Sequence, residues 1–513
     1  MATVALGSSA GKWVMGSAIL ASSMAFIDGT ALNVVMPALQ KGLNATAPDL
    51  LWILNAYLLV LASLILIGGS LGDKLGRKKI LMWGILIFSI GSAACGLSPT
   101  VNWLIAFRVL QGAGGALMIP GSLALISTSI NPEERGKSIG TWSAFTVLVT
   151  VGGPILGGAL ADWGLWRFIF FINIPIGIGA FLALWTKVNE TRDEDAVHSV
   201  DFPGAIAIAL GLAAVTFGFL RIPAVGFYNW QAYGSLTAGV ILLIGFIIIE
   251  AKSKNPMMPL TLFSNMTFSG VNLLTFFLYA GLGAGMLFMS LDMVQVQGYK
   301  QVQSGLTFLP FTTLMILASR FFGSLADKHG PRLFLILGPA LAGAGLFMLS
   351  FVKQTQGPSD YWTTFFPGIL VLGLGMTFTV APLTATVMAS VSDHFSGTAS
   401  GINNAMTRIS GVFANAIFGA LAVLFFSGAL QAEIKNVSLN PTQKQAVMAQ
   451  VANLGNAKAP AMLNSQDKAI VAKAYHTGFI AAYANIMRLS AGLGFLGALM
   501  SVLFIRNKAV KKE

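Results

Sequence analysis

The sequence has little charge and almost no cysteine. Of its 513 residues only 10% are Asp, Glu, Lys or Arg, and 55% are hydrophobic, whereas about a quarter of an ordinary soluble domain is charged. The single cysteine, Cys95, excludes an intrachain disulfide. Water is therefore not the main solvent of this chain.

The sequence also lacks the motifs of soluble catalysis. It contains no H-E-x-x-H, no P-loop, no nucleophile elbow and no paired cysteine ligands, and it has only 4 His. We therefore predict no enzyme activity, no catalytic residues, no metal site and no cofactor. Without a nucleotide site, any uphill transport would have to use an ion gradient.

Apolar runs long enough to cross a bilayer recur along the whole chain. A helix needs about 20 apolar residues to span the hydrocarbon core. The predicted fold class is an all-α integral membrane protein with about 14 transmembrane helices. The runs lie near 14–37, 51–71, 80–98, 102–126, 139–161, 167–186, 204–221, 232–249, 268–291, 303–326, 333–352, 362–390, 399–427 and 477–505. The first is too long for a removed signal peptide, so we expect it to be retained.

The net charge of +12 is explained by membrane orientation rather than by nucleic acid. With the N-terminus in the cytoplasm, the inner segments hold 17 of the 31 Lys and Arg residues, as the positive-inside rule requires. The sequence thus predicts a multi-pass protein of the cell (inner) membrane with both termini cytoplasmic.

Two stretches about half the chain apart are alike. Gly69-Ser-Leu-Gly-Asp73-Lys-Leu-Gly76-Arg77 resembles Gly323-Ser-Leu-Ala-Asp327-Lys-His-Gly330-Pro331. Glycines at 112, 136 and 140 also recur at 373, 397 and 401. The repeat predicts two six-helix halves, 1–188 and 263–513, joined by a linker with two extra helices, 189–262. The second half includes an external segment, 428–475, in which Pro441 and Ser465 are expected helix starts. This segment either packs as a loop, caps the exit or contacts a periplasmic adaptor.

Charges inside a bilayer are costly and need a reason. Asp28 lies about 22 Å from the cytoplasmic end of its helix, and Arg108 about 9 Å below the outer end of the fourth helix, at 1.5 Å per residue. Both are therefore expected in the outer half of the membrane. A desolvated carboxylate near a cation can carry a proton between the two sides, whereas the alternative is a fixed ion pair that holds two helices together.

Other embedded polar residues are candidates for the substrate cavity. Asn33 and Gln111 lie on the same two helices as the charged pair, and Arg408 lies deep in the inner half of its span. Asp292 falls at the outer boundary, where it either meets water or attracts cationic substrates. The full set of cavity candidates is Asn33, Asn55, Gln111, Asp292, Gln295 and Arg408.

Five motifs follow one another along nearly the whole chain. They are Phe26 to Pro37, Gly69 to Leu81, Leu104 to Ala116, Gly153 to Gly158, and Trp166 to Gly177. Together they resemble the fourteen-spanner drug:proton antiporter branch of the major facilitator superfamily. The antiporter motif departs from the family pattern where Val149 replaces its leading glycine.

The resemblance implies a major facilitator fold, in which two six-helix bundles rock around a central cavity. It also implies that Arg108 tunes proton transfer at Asp28. The implied conformational latch comprises Gly69, Asp73, Gly76, Arg77, Asp327 and Arg332, and the implied antiporter seam comprises Gly153, Pro154, Gly157 and Gly158. Small residues allow the close helix approach that such a seam needs.

The expected function is export of amphipathic or lipophilic drugs in exchange for protons, by a monomer in the lipid bilayer. The alternatives are proton-coupled transport of one specific metabolite, such as a sugar, siderophore or lipid, and a receptor without transport. Small molecules and protons are the expected partners; nucleic acid is not.

Overall fold

The computed structural model describes residues 3–191, 201–391, 395–435 and 437–505, and most of these residues are helical. Its helices are α1 Ser9–Leu43, α2 Ala47–Leu75, α3 Arg77–Leu97, α4 Val101–Ser129, α5 Arg135–Asp162, α6 Phe168–Phe171, α7 Asn173–Lys187, α8 Phe202–Val225, α9 Trp230–Lys252, α10 Met266–Gln295, α11 Gln301–Leu306, α12 Leu309–His329, α13 Arg332–Leu349, α14 Tyr361–Ala389, α15 Ser396–Glu433, α16 Pro441–Ala449 and α17 Ser465–Phe504.

Within these residues, 13 helices are long and apolar enough to cross a membrane. The helix α5 adds a further apolar stretch, Leu148–Asp162. These helices confirm the predicted class, a membrane protein of about fourteen spans, and most boundaries fall within a few residues of the expected ones.

Local sequence signals set where several helices begin. Thr46 and Asp49 form a reciprocal capping box at the start of α2, and Asn440 with Gln443 does the same for α16. Such caps satisfy the N–H groups that have no partner within the helix. The predicted helix start at Pro441 is thereby confirmed.

Three spans differ from the expectation. The sixth is divided into α6 and α7 and the tenth into α11 and α12, while α17 begins at Ser465 and continues unbroken into the last span. Ser465 is therefore a helix start, as predicted, but not of a separate surface helix. The Asn464 side chain, which accepts the N–H of Asp467, caps this start, a contact that hydropathy does not reveal.

The helices pack in two sets. In the N-terminal set, α1 to α7, α4 packs on α2 and α3, and α1 packs on α5 and α7; in the C-terminal set, α10 to α17, α17 packs on α10 and α13, and α14 packs on α12 and α13. The inserted pair, α8 and α9, packs on itself, and α8 also touches α2 and α15. The pair thus contacts both sets. The exact domain division stays a prediction.

The helical bundle has two ends that differ in what they carry. The capped end carries the 441–456 segment together with the ends of α1, α5 and α10, and the basic end carries the turns after α2 and α12. At the basic end Gly76 and Gly330 have φ of +112° and +87°. Glycine adopts such values without strain, and the two occupy matching places in the two predicted halves.

Candidate functional site

A buried ion pair joins α1 and α4. Arg108 Nη1 donates to Asp28 Oδ2 at 2.5 Å, and each side chain is only 1% exposed. The depths expected from helix rise therefore bring the two charges together, as the sequence predicted. A hydrogen-bonded pair of opposite charges is the arrangement that makes burial of either one tolerable.

Neutral groups complete the surroundings of the pair. Gln111 Nε2 donates to Asp28 Oδ1 at 2.9 Å, and Arg108 Nη1 donates to Gln111 Oε1 at 2.7 Å. Arg108 Nε donates to the Ile53 carbonyl at 3.2 Å, and its guanidinium lies 4.3 Å from the centre of the Tyr57 ring. Both carboxylate oxygens of Asp28 thus have donors, and α2 takes part through its backbone and an aromatic face.

A second layer was not predicted. Ser92 Oγ accepts from Gln111 Nε2 at 3.3 Å and from Asn173 Nδ2 at 3.0 Å. The Ser92 hydroxyl itself donates to the Phe170 carbonyl at 2.8 Å. The only sequence signal for this network is a polar residue within each of two apolar runs. The network ties the candidate proton site to α3, α6 and α7.

Arg408, in the C-terminal set, lies near Tyr57, which also contacts Arg108. Its charge acts on the hydroxyls of Tyr57 and Tyr279, so that Tyr57 lies within the influence of two cations, one from each set. Tyr57 is fully buried and its hydroxyl has no hydrogen-bond partner in the described part of the chain. Sequence reasoning missed Tyr57, because a tyrosine in an apolar run is usually core.

The other cavity candidates are dispersed. Asn55 Oδ1 accepts from Asn415 Nδ2 at 3.2 Å, a contact between α2 and α15. Asn33 is half-buried on α1. Asp292 is 0% exposed and lies within the C-terminal set, where Gln297 Nε2 donates to it at 3.1 Å. Asp292 therefore does not meet water here, and it is separate from the Asp28 ion pair.

At the capped end, Gln40 joins the two sets. Its Oε1 accepts from Gln295 Nε2 at 2.9 Å and from Asn456 Nδ2 at 2.8 Å, while its Nε2 donates to the Asn453 carbonyl at 3.3 Å. The 441–456 segment thus touches α1 directly, and a Cβ at Gly455 would lie 2.8 Å from Gln295 Cβ. Part of the predicted external segment therefore covers the junction between the sets.

The predicted antiporter seam faces two partners. A Cβ at Gly157 would lie 2.9 Å from the Ala31 carbonyl of α1, and a Cβ at Gly153 would overlap Thr30. A Cβ at Gly158 would lie 2.6 Å from the Gln301 carbonyl of the other set. In turn, a Cβ at Gly305 would lie 2.5 Å from the Pro154 carbonyl. Glycines from both sets interlock here, which is the close approach that small residues permit.

Asp162 ends α5 beside this seam. Its carboxylate accepts the backbone N–H groups of Gln301 and Val302 at 2.8 and 2.9 Å. A side chain of one set therefore caps the first turn of a helix in the other. The contact joins α5 to α11 at the capped end.

We expect Asp162→Ala to weaken closure of the capped end. Losing such a cap costs about 0.5–2 kcal/mol, which is roughly a 2- to 30-fold change in the ratio of closed to open protein. The check is the distance between spin labels at Lys41→Cys and Gln431→Cys, two exposed positions on opposite sets. Asp360→Ala, which removes a carboxylate whose described contacts lie within the C-terminal set, is the control. An unchanged distance distribution in Asp162→Ala would contradict this assignment.

The predicted latch residues lie at the basic end. Arg77 N donates to the Thr191 carbonyl at 2.8 Å, and Glu190 accepts the N–H groups of Lys78 and Lys79 at 2.9 and 3.0 Å. The Glu190 carboxylate thus caps α3, where the helix dipole favours an anion. Gly76 leaves the space that this carboxylate occupies, since a Cβ there would lie 2.6 Å from Glu190 Cδ.

Two further latch residues, Arg332 and Gly69, each contact a neighbour within their own helix set. Arg332 Nη2 donates to the Val502 carbonyl at 3.0 Å, within the C-terminal set. Gly69 lies where a Cβ would be 3.7 Å from Pro120 Cβ, an ordinary packing distance between α2 and α4. The side chains of Asp73 and Asp327 lie outside the described part of the structure. The latch role of all these residues stays a prediction.

The architecture and the buried charges define a polytopic helical membrane protein built like a transporter, and comparison with known proteins gives its family. The sequence profile of the Major Facilitator Superfamily matches residues 18–415, and the chain belongs to this family. It is therefore a membrane transporter rather than an enzyme.

Relatives and solved structures agree with this assignment. The chain is 31% identical over 400 residues to the tetracenomycin C resistance and export protein of Streptomyces glaucescens, covering 78% of this chain and 73% of that one. It is 30% identical over 407 residues to the multidrug transporter protein MdtP of Bacillus subtilis, covering 79% and 74%. These relatives confirm the predicted resemblance to drug exporters.

Two solved transporters share the fold. A bacterial homologue of the human lysosomal transporter Spinster, inward-facing and unoccupied, superimposes with a TM-score of 0.63 at 18% identity, covering 97% of this chain and 98% of that one. The Escherichia coli xylose transporter XylE, in its inward open conformation, gives 0.60 at 14% identity, covering 97% of each chain. At these identities the likeness concerns the fold alone.

Proposed function

We propose that this protein exports amphipathic or lipophilic drugs in exchange for protons, by alternating access of one cavity to the two sides of the membrane. The observation that carries the proposal is the buried Asp28–Arg108 pair. It is a titratable group held in the apolar interior beside a cation, in a family of transporters. The export of drugs is supported by the names of the relatives.

Orientation follows from the basic loops. The positive-inside rule favours placing the basic end in the cytoplasm, which puts both termini there and the capped end outside. The membrane would be the cell (inner) membrane. The described hydrogen bonds between the sets, at Gln40, Asp162 and Asn55, lie toward the capped end. The state described here is then closed to the outside, with the cavity accessible from the cytoplasm.

The two sets would rock as the bundles 1–188 and 263–513. The Gln40, Asp162 and Gly158 contacts break when the capped end opens, and contacts at the basic end replace them. Asp28 has donors on both carboxylate oxygens in the closed state. A proton arriving at Asp28 removes the charge that holds Arg108, so protonation and a shift of the guanidinium occur together.

The proposed cavity would lie where α10 and α15 bring aromatic side chains and a positive charge together. Phe276 packs edge-on against Phe413 at 5.9 Å between ring centres, and Tyr279 lies within the influence of Arg408. Aromatic and aliphatic walls with few polar groups accept amphipathic molecules of varied shape. An aromatic lining favours a lipophilic drug over a sugar as the substrate, because a sugar would need many hydrogen-bond partners.

The test is export from proteoliposomes under an imposed pH gradient, over a panel of compounds. We expect flux of several lipophilic drugs, among them ethidium and a neutral aromatic antibiotic, and collapse of that flux when an ionophore removes the gradient. Flux of a single sugar, siderophore or lipid would support the metabolite alternative. Absence of any flux would leave a receptor, and flux indifferent to the gradient would refute proton coupling.

A further inference from the structure

A second buried carboxyl group lies far along the chain from the Asp28 pair, in the other helix set. Asp292 is 0% exposed, one turn from the end of α10. Gln297 Nε2 donates to its Oδ2 at 3.1 Å, and Oδ1 has no hydrogen-bond partner among the described residues. Buried polar atoms nearly always have a hydrogen-bond partner, so the unpaired Oδ1 needs a chemical explanation.

No cation balances Asp292 within the described part of the chain. The influences on its ionisation there are burial and the Gln297 amide, whereas Asp28 has the Arg108 guanidinium. An ionised carboxylate buried without a cation costs several kcal/mol. A proton on the carboxyl group removes that cost.

Two tyrosine hydroxyls lie close enough to Asp292 for its charge to act on them. The hydroxyls of Tyr483 and Tyr299 have no partner in the described residues, and the Asp292 charge would act on both. Burial raises the pKa of Tyr299 to about 12, with further contributions from Asp360 and Asp292. This hydroxyl therefore stays neutral at physiological pH and offers an acceptor to a carboxyl proton.

We propose that Asp292 is a second proton-binding site of this transporter, which holds a proton while the capped end is closed and exchanges it with water outside when that end opens. Asp292 lies one helical turn before Gln295, which hydrogen-bonds Gln40 across the two sets. Opening of the capped end breaks that bond and frees the end of α10.

The turn that follows α10 carries the donor to Asp292. Gln297 Nε2 also donates to the Lys353 carbonyl at 3.1 Å, and its Oε1 accepts from the backbone N and the Oγ1 of Thr355 at 2.9 Å each. The amide is therefore fixed to the loop before α14. When the end of α10 moves relative to this loop, the one described hydrogen bond of the Asp292 carboxyl group is strained and water gains access to that group.

The proton on Asp292 makes the ratio of closed to open protein depend on pH. Closing the capped end binds a proton at Asp292, so a lower pH favours the closed state and a higher pH the open state. One coupled proton changes the ratio of closed to open protein by up to about tenfold per pH unit. Proton uptake from outside thereby permits the return to the closed state.

Other titratable or charged side chains lie on the elements packed around Asp292. Most are solvent-exposed, His476 on α17 among them. These groups are Lys41 on α1, Lys300 on the turn after α10, Lys353 and Asp360 before α14, Tyr361 on α14, Arg408 and Glu433 on α15, Lys458 after α16, and His476 and Tyr483 on α17.

The experiment measures the capped end directly in purified, substrate-free protein. Spin labels at Lys41→Cys and Gln431→Cys report the separation of the sets, and Cys95 is fully buried. All variants carry Asp28→Asn, which removes the other proton site, and His476→Gln. We expect the open fraction to rise from about pH 5 to about pH 9, and adding Asp292→Asn to abolish that rise and leave the protein closed. The same rise with and without Asp292→Asn, or no rise in either, would overturn the proposal.

Infrared spectroscopy gives a second measurement in case Asp292→Asn folds poorly. A protonated carboxylic acid has its own carbonyl stretching band, which Asp292→Glu is expected to shift in the closed protein at neutral pH. A spectrum unaffected by Asp292→Glu would also overturn the proposal. This second proton site rests on the proposed function, but the two proposals can fail separately. Export that does not respond to a pH gradient would refute proton coupling. The carbonyl band, in contrast, reports whether Asp292 carries a proton, whatever drives export.

Discussion

Asp28→Asn is expected to reduce proton-driven export to the level of empty vesicles while substrate binding survives. The amide keeps the shape of the side chain and a hydrogen-bond acceptor for Arg108 or Gln111, but it cannot take up a proton. Transport measured under a pH gradient, together with equilibrium binding of the same drug, tests this directly. Arg108→Ala should be nearly as damaging, because it leaves the Asp28 carboxylate buried without its counter-charge, at a cost of about 3–5 kcal/mol.

Two controls separate coupling from folding. Asp28→Glu retains a titratable group and is expected to keep part of the proton dependence. Asp49→Asn removes a carboxylate from the capping box of α2, outside the buried pair, and is expected to export normally. If Asp28→Asn exported at the wild-type rate under the same gradient, Asp28 would have no part in the mechanism.

Gly158→Leu is expected to hold the capped end open and to reduce export severely. A Cβ at this position would lie 2.6 Å from both the Gln301 carbonyl and Val302 Cα, which are backbone atoms and cannot swing aside. Overpacking of this kind costs about 1–3 kcal/mol, and it penalises only the closed state, where α5 and α11 meet. The resulting shift toward the open state is about 5- to 150-fold.

The spin labels at Lys41→Cys and Gln431→Cys measure this shift as a longer separation between the sets. Gly152→Leu is the matched control, since a Cβ on the same helix at Gly152 would have nothing within 4 Å. Gly305→Leu is expected to disrupt the same contact from the C-terminal set, because a Cβ at Gly305 would lie 2.5 Å from the Pro154 carbonyl. Equal behaviour of Gly152→Leu and Gly158→Leu would show that this contact does not control opening.

The pairing of Asp28 with Arg108 could be predicted because helix geometry converts residue number into depth. A rise of 1.5 Å per residue placed both charges in the outer half of the membrane, and buried charges need partners. Tyr57, Ser92 and Asn173 could not be predicted in the same way. Their importance comes from which helices are neighbours, and hydropathy does not specify neighbours.

Asp292 shows the limit of a depth estimate. Its place at the end of a span suggested contact with water or substrate, yet it is fully buried within the C-terminal set. The burial depends on Gln297, on the loop that holds Gln297, and on α17 from the far end of the chain. Contacts between segments so distant in sequence leave no local pattern.

The sequence by itself determined that the chain crosses the membrane about fourteen times, where most of these helices lie, and which charges enter the bilayer, because hydropathy, helix rise and the cost of buried charge act locally. Tertiary structure alone decided that Tyr57 lies within the influence of a cation from each set, that Asp162 and Gln40 close the capped end, and that Asp292 has no cation to balance it. These features depend on how one helix faces another, and packing between distant segments fixes that relation.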